Sequence, residues 1–224
     1  MVKQDLAYLA KVFGAKVRQD EFEQVKQDSK VNSNTKKIRY EPRLYPGYFG
    51  PVAFREKIAS DRSIGSEQEV EIAPMRYRIR PHGSIKEVPS KFNVFNARLD
   101  SLEMRPTWRG LLGRRHGIVV LERFYEWVQD SNSRQKKVIS FFPKIQTEIY
   151  VPVLWDDWTD GQSFFRSFAL ITDEPPQEVL DAGHDRCPIG LSEEGVVHWL
   201  SHQRPFEALS HRAVEVFGFE SAVP

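Results

Sequence analysis

A chain of 224 residues, 40% hydrophobic and 28% charged, fits one large domain or two small ones and is long enough to bury a sizeable core without disulfides or metal. Its 32 lysines and arginines stand against 31 aspartates and glutamates, a net charge of +1, which excludes a globally basic nucleic-acid-binding chain but leaves room for a local basic groove. The lone cysteine, Cys187, excludes an internal disulfide and points to a reducing compartment. No apolar run approaches the length of about 18 residues that a membrane span needs, and the charged N-terminus MVKQDLAYLAKVFGAKV is no signal peptide, so the cytoplasm is the default setting.

Leu6, Leu9, Ala10 and Phe13 repeat at helical spacing over residues 3–14, with Gly14 as the stop. A second helical stretch covers 20–28, with Phe22 and Val25 turned inward, and DSKVNSNTKK reads as a polar loop. From about residue 38 the texture changes to short segments punctuated by Pro and Gly, IRYEPRLYPGYFGPVAF and EVEIAPMRYRIRPHG, as strands and turns do. GIVVLERFYEWV, KKVISFFPKI, IYVPVLWDDW and SFFRSFALIT are strand candidates, the later ones divided by the polar turns QDSNSRQ and TDGQ. PPQEVLDAGH reads as a short helix opened by prolines, and SEEGVVHWLSH as another, capped by Ser192. No βαβ alternation appears, which disfavours a doubly wound sheet. The expected class is α+β: one domain over residues 1–224, with an antiparallel, barrel-like sheet core and peripheral helices.

Histidines stand at 82, 116, 184, 198, 202 and 211, but neither HExxH nor CxxC occurs, so no dedicated metal site is expected. His198 and His202 have i, i+4 spacing without a carboxylate or cysteine partner and read as a polar helix face. GxGxxG, GxxxxGK[ST] and GxSxG are all absent, so neither a nucleotide cofactor nor a serine-hydrolase elbow has support. RYRIR (76–80) and RPTWRGLLGRR (105–115) interleave arginines with aromatics, a pattern that can bind phosphates and stack bases; a solvated face is the plainer account.

Glu126 sits in the aromatic string FYEW, where strand alternation puts Phe124 and Glu126 on one face and Tyr125 and Trp127 on the other. Burying a carboxylate among aromatics is costly unless it is paired or protonated, and burial raises its pKa as a general acid requires. The alternative is a structural carboxylate paired with an arginine. His184 falls in a loop beside Asp185 and Arg186, ended by Pro188. Cys187 next to it invites a Cys–His dyad, but chain neighbours seldom aim at one point, and a lone cysteine reads better as a small core residue.

Taken together, Asn96-Ala97-Arg98-Leu99-Asp100-Ser101, Arg123-Phe124-Tyr125-Glu126-Trp127, Ile171-Thr172 and His184-Asp185-Arg186-Cys187-Pro188 resemble, in order and spacing, the motifs of the SRAP (SOS-response-associated peptidase) family. VLWDDW, APMRYRIRP (with Tyr77 where the family has tryptophan) and EGVVHWL extend the likeness over residues 40 to 201. The resemblance implies a protein that binds single-stranded DNA, without cofactor or metal, and captures abasic sites as a monomer. In the family, a cysteine exposed by loss of the initiator methionine traps the sugar aldehyde, first as a Schiff base and then as a thiazolidine. Carried over, Asn96 would position the N-terminal residue, Glu126 would shuttle protons, and His184 would bond the sugar hydroxyl and assist ring opening. Arg98 and Arg186, with Thr172 beside them, would hold flanking phosphates; Arg105 lies one residue out of step with another family arginine.

This chain departs from the pattern at Cys187 (for Met), at Asp100 and Ser101 (for Glu and Thr), at Arg123 (for Gly), and most seriously at Val2, where the nucleophile should stand. One account is a start some five to ten residues upstream of Met1, since the helix begins here with no strand before it. The other is a variant that binds DNA without the thiol. A protease acting in trans is the remaining alternative, disfavoured because no Ser/His/Asp grouping can be placed.

Overall fold

The computed structural model describes residues 1–31, 42–56, 69–129 and 135–222, the side chains of 29–31 excepted. Asp5 opens α1 (Leu6–Phe13) by accepting the Tyr8 N–H at 2.9 Å, and Gly14, left-handed at φ 57°, closes it. Leu9 is buried, with Leu6, Ala10 and Phe13 packed around it, as the spacing predicts. After β1 (Lys16–Val17), α2 (Gln19–Val31) buries Phe22 and runs past residue 28, so the first part of the expected polar loop is helical. The rest of that loop, from 32, lies outside the described residues.

The strands that follow are β2 (Phe49–Phe54), β3 (Glu71–Tyr77), β4 (Asn96–Arg98), β5 (His116–Leu121), β6 (Phe124–Gln129), β7 (Lys136–Pro143), β8 (Ile149–Thr159), β9 (Phe164–Asp173), β10 (Cys187–Pro188) and β11 (Phe217–Ala222). Short helices α3 (Pro106–Arg109), α4 (Gln177–Asp181), α5 (Glu193–Leu200) and α6 (Pro205–Ala208) sit between them. β3, β2, β5, β8 and β9 pair antiparallel in that order. A parallel pairing of β9 back onto β3, Met75↔Arg166 to Tyr77↔Phe168, closes these five strands into a barrel and removes their free edges. The fold is therefore α+β with a barrel core, as expected.

The barrel strands are buried on both faces. Ile72, Ile118, Leu154 and Ala169 share one core with Leu9 of α1, Phe22 of α2 and Trp199 of α5. Val52, Ala73, Val119, Val153 and Phe168 share the other with Phe124, Phe141 and Phe217 of a second, three-stranded sheet, β11–β7–β6. Gly117 marks a close approach between barrel strands, because a Cβ there would stand 2.7 Å from Val52 Cγ1 and 3.1 Å from the Ala53 carbonyl.

GIVVLERFYEWV, expected as one strand, is two. β5 belongs to the barrel and β6 to the second sheet, with the break at Glu122–Arg123. The first residues of the chain occupy that break: Lys3 N–H donates to Val120 O and Glu122 N–H to Met1 O, both at 2.9 Å, and Val2 bridges Leu121. The other expected elements stand as read. Asp160 Oδ1 accepts the Gln162 and Ser163 N–H groups in the TDGQ turn, and Ser192 Oγ caps α5 by accepting the Gly195 N–H at 3.2 Å. Residues 130–134 of QDSNSRQ lie outside the described residues. No helix among the described residues is long and apolar enough to cross a membrane.

Candidate active site

The C-terminal end of β9 gathers the site. β4 lies parallel along one edge, with Asn96↔Leu170 and Arg98↔Thr172, and β10 lies antiparallel along the other, with Pro188↔Thr172 and Cys187↔Asp173. Two motifs 88 residues apart, Asn96 and His184, are thereby brought to one strand. Glu126 comes from the second sheet, on the inward face of β6 together with Phe124 and Val128.

α4 ends at Gly183 (φ 97°), and the His184 N–H returns to the Val179 carbonyl at 3.1 Å, which fixes the imidazole's approach. Its Nε2 lies 3.1 Å from Glu126 Oε2 and its Nδ1 2.7 Å from the Arg186 carbonyl oxygen. Both ring nitrogens thus face acceptors. The hydrogen bond with Glu126 raises the imidazole pKa above its ordinary value, against the opposing pull of burial, and favours the imidazolium. A longer contact from the Arg186 N–H, 3.3 Å, asks Nδ1 to accept instead and is the weaker of the two. The partner of Glu126 is therefore a histidine, neither an arginine nor nothing.

Asn96 is held on both sides. Asn93 Oδ1 accepts its N–H at 3.0 Å, and its own Oδ1 accepts the Tyr77 hydroxyl at 2.8 Å. Tyr77 is buried, stacked on Phe168 with ring centroids 5.3 Å apart. Burial, and after it the nearby charge of Glu126, pushes its phenol pKa upward, so the hydroxyl stays a donor. Tyr77 thus bonds Asn96 directly and feels Glu126 only through its charge. Sequence reasoning treated it only as a tryptophan replacement. The one available signal was its alternation with Met75 on the buried face of β3.

Arg98, Arg186 and Arg105 gather around Asp100. Arg98 Nε donates to Asp100 Oδ1 at 3.1 Å, and Arg186 Nη2 lies 3.7 Å from Oδ2. The Arg98 hydrogen bond, then the fields of Arg186 and Arg105, hold the Asp100 carboxyl below the usual range. Thr172, expected beside these arginines, is nearly fully buried between β4 and β10, which leaves little of it for a phosphate to touch.

The arginines of the RYRIR string serve the structure. Arg76 and Arg80 share Glu87 at 2.7 and 3.4 Å, and the Arg80 guanidinium stacks 3.4 Å from the Trp158 ring centre. With Arg78 and Arg166 they line a cleft of about 990 Å³ between α2 and strands β3 and β9, whose cations are matched by Glu21, Asp28, Glu87 and Asp160. Asn96, Glu126 and His184 do not line it, and the chemistry of the donors, rather than cleft volume, locates the candidate active site. In the second string Trp108 and Leu111 are buried, and Arg115 packs on Trp155 and pairs with Asp157 at 3.2 Å.

Cys187 is a core residue. Burial above all pushes its thiol pKa up to about 12, which keeps it protonated and unreactive. Val2 is likewise in the core at 2% exposure. The Met1 amine donates to the Arg123 carbonyl, and burial, with Arg123 next, lowers its pKa to about 5. His198 and His202 part company. His202 is buried and stacked on His116, whereas His198 lies 3.7 Å from Glu194 one turn earlier, a carboxylate partner that the sequence reading passed over.

Known proteins resemble this chain in sequence and in fold. Abasic site processing protein YobE of Bacillus subtilis (strain 168) is 26% identical over 110 residues, 49% of this chain and 50% of that protein. Abasic site processing protein YoaM of the same strain is 26% identical over 111 residues, 49% and 48%. The matches thus span about half the length of these curated relatives. Two solved structures share the fold: a Bordetella bronchiseptica protein (TM-score 0.63, 17% identity, 88% of this chain and 95% of that one) and a Bacteroides thetaiotaomicron protein (TM-score 0.60, 18% identity, 86% and 87%). The family model for SOS response associated peptidase matches residues 12–217, and the chain belongs to the SRAP family.

Proposed function

We propose that this protein, acting as one unit over residues 1–224, binds single-stranded DNA at abasic sites through the Asn96–Tyr77–Glu126–His184 group, with Arg98, Arg186 and Arg105 on the flanking phosphates. The observation that carries the reading is the Glu126–His184 pair at 3.1 Å beside three arginines gathered around the exposed Asp100. A ring-opened abasic sugar presents an aldehyde, hydroxyls and two phosphates, and these groups match a proton-shuttling carboxylate–imidazolium pair, an amide and guanidinium forks. The relatives are named abasic site processing proteins, and the lone buried cysteine suits a reducing, cytoplasmic setting.

Capture by the family's route requires a 1,2-aminothiol. Its amine nitrogen would add to the aldehyde carbon, water would leave with a proton relayed by Glu126, and the thiol sulfur would close on the imine carbon while its proton passes to nitrogen. Val2 cannot supply the sulfur. The register of Val2 opposite Leu121 supports a position for a cysteine that can: each residue preceding Met1 would advance one place along 122–126, so a segment about four residues upstream would come alongside Glu126. A second reading, binding without capture, is favoured for the chain as written, because the side chain at position 2 is a valine sealed in the core.

The test is a titration of labelled oligonucleotides, single-stranded and duplex, with and without one abasic site, at several salt concentrations. Single strands should bind more tightly, with a slope of log K against log salt of about −2 for three arginines. Arg98→Ala should flatten that slope by about 0.7. Equal affinity for duplex, or no salt dependence, would sink the reading.

A further inference from the structure

After β10 in the chain, α5 and the segment after α6 carry a second group of chemistry-bearing side chains. Glu194 and His198 stand one turn apart on α5, and His211 comes from the connector that leads to β11. Glu194 Oε1 is 3.7 Å from His198 Nε2, Glu194 Oε2 is 3.4 Å from His211 Nδ1, and one ligand atom from each of the three residues fits within 4.8 Å of the others. The two imidazoles lie nearly parallel, ring centroids 5.2 Å apart at 9°.

Backbone, rather than the side chains themselves, sets this arrangement. Ser192 N–H donates to the His211 carbonyl at 2.9 Å, Ala213 N–H donates to the Gly190 carbonyl at 3.0 Å, and Leu191 bridges Arg212. Gly195 lets the connector approach α5 closely, because a Cβ there would stand 2.5 Å from the His211 carbonyl oxygen. His211 is thus pinned across the first turn of a capped helix, opposite the residues spaced to meet it. Exposed ion pairs contribute little stability, so the pairing alone gives these three side chains no strong reason to converge.

The geometry points to a divalent transition-metal site formed by Glu194, His198 and His211. A tetrahedral Zn²⁺ with bonds of about 2.0–2.1 Å needs donors roughly 3.4 Å apart, and rotation of the partly exposed Glu194, His198 and His211 side chains from their 3.4–4.8 Å separations would bring one atom of each to that spacing. Two imidazole nitrogens and one carboxylate select a borderline ion such as Zn²⁺ over Mg²⁺ or Ca²⁺, which prefer oxygen donors. Three protein ligands leave a fourth position for water. Bound there, the ion would tie α5 to the connector and so stabilise the folded chain.

The test uses the full chain stripped with a chelator, titrated calorimetrically with Zn²⁺ and with Mg²⁺, and its melting temperature followed with and without Zn²⁺. One Zn²⁺ per chain should bind, Mg²⁺ should not, and Zn²⁺ should raise the melting temperature. His198→Ala and His211→Ala should each weaken binding by at least about tenfold, with the metal-free melting temperature little changed because both side chains are partly exposed. The double variant should lose both the binding and the thermal shift. Absence of stoichiometric Zn²⁺ binding, or binding retained in the double variant, would overturn the proposal; the latter would move the metal to His184 and Glu126 or elsewhere.

Discussion

Glu126, 3.1 Å from Nε2, and the Arg186 carbonyl, facing Nδ1, both favour the protonated form of His184. Its pKa is raised in the folded protein, so the pair stabilises the fold fully below the ordinary imidazole value of 6.5, and that contribution fades as pH rises through the raised folded value. Glu126→Gln should therefore lower the His184 pKa, read by NMR titration of the imidazole, and should flatten the pH dependence of unfolding just above 6.5. An unchanged His184 titration in that variant would mean that the pair does not exist in solution. Tyr77→Phe should cost about 1–2 kcal/mol in denaturant unfolding, because it leaves the Asn96 amide oxygen without its buried donor. Glu126 and His184 were legible because each stands in a short motif. The hydroxyl of Tyr77 was not, because its bond to Asn96 exists only once β9 has closed on β3 and taken β4 alongside. His211 beside Glu194 was equally hidden, whereas Glu194 one turn before His198 could have been read directly.

At the scale of elements, the ends read from sequence were local ones: Gly14 after α1 and Ser192 before α5. The break between β5 and β6 was not. An apolar run carries the period of a strand but no record of which sheet it joins, and what divides this run is non-local: Met1–Lys3 on one half and β7 on the other. That division is what delivers Glu126 to the site, since it turns the chain out of the barrel four residues before the carboxylate. Within the barrel, β2, β5 and β8 pack closely at Gly117. Gly117→Ala would place a methyl 2.7 Å from Val52 Cγ1 and should destabilise the protein by about 1–3 kcal/mol, read as a lower denaturant midpoint at unchanged slope.

At the scale of the whole molecule, a net charge of +1 means that the proposed affinity for DNA has to come from where the arginines sit rather than from how many there are. Most are spent on internal carboxylates or stacked on aromatics, as Arg76, Arg80, Arg115 and Arg166 are. The three around Asp100 stand next to the Glu126–His184 pair, which joins the second sheet to the loop before β10. The central claim is that this corner is a capture site for an abasic sugar and that it needs an N-terminal cysteine delivered along β6. The most direct measurement is a denaturing gel of protein incubated with a single-stranded oligonucleotide carrying one abasic site, run with and without heating. The 224-residue chain should give no heat-stable adduct. The same chain preceded by a Met-Cys start placed to bring the cysteine beside Glu126 should give one, and Glu126→Gln in that extended chain should slow its formation by about 10²-fold or more. A heat-stable adduct from the unextended chain, or an extended chain whose adduct forms as fast without Glu126, would contradict the account.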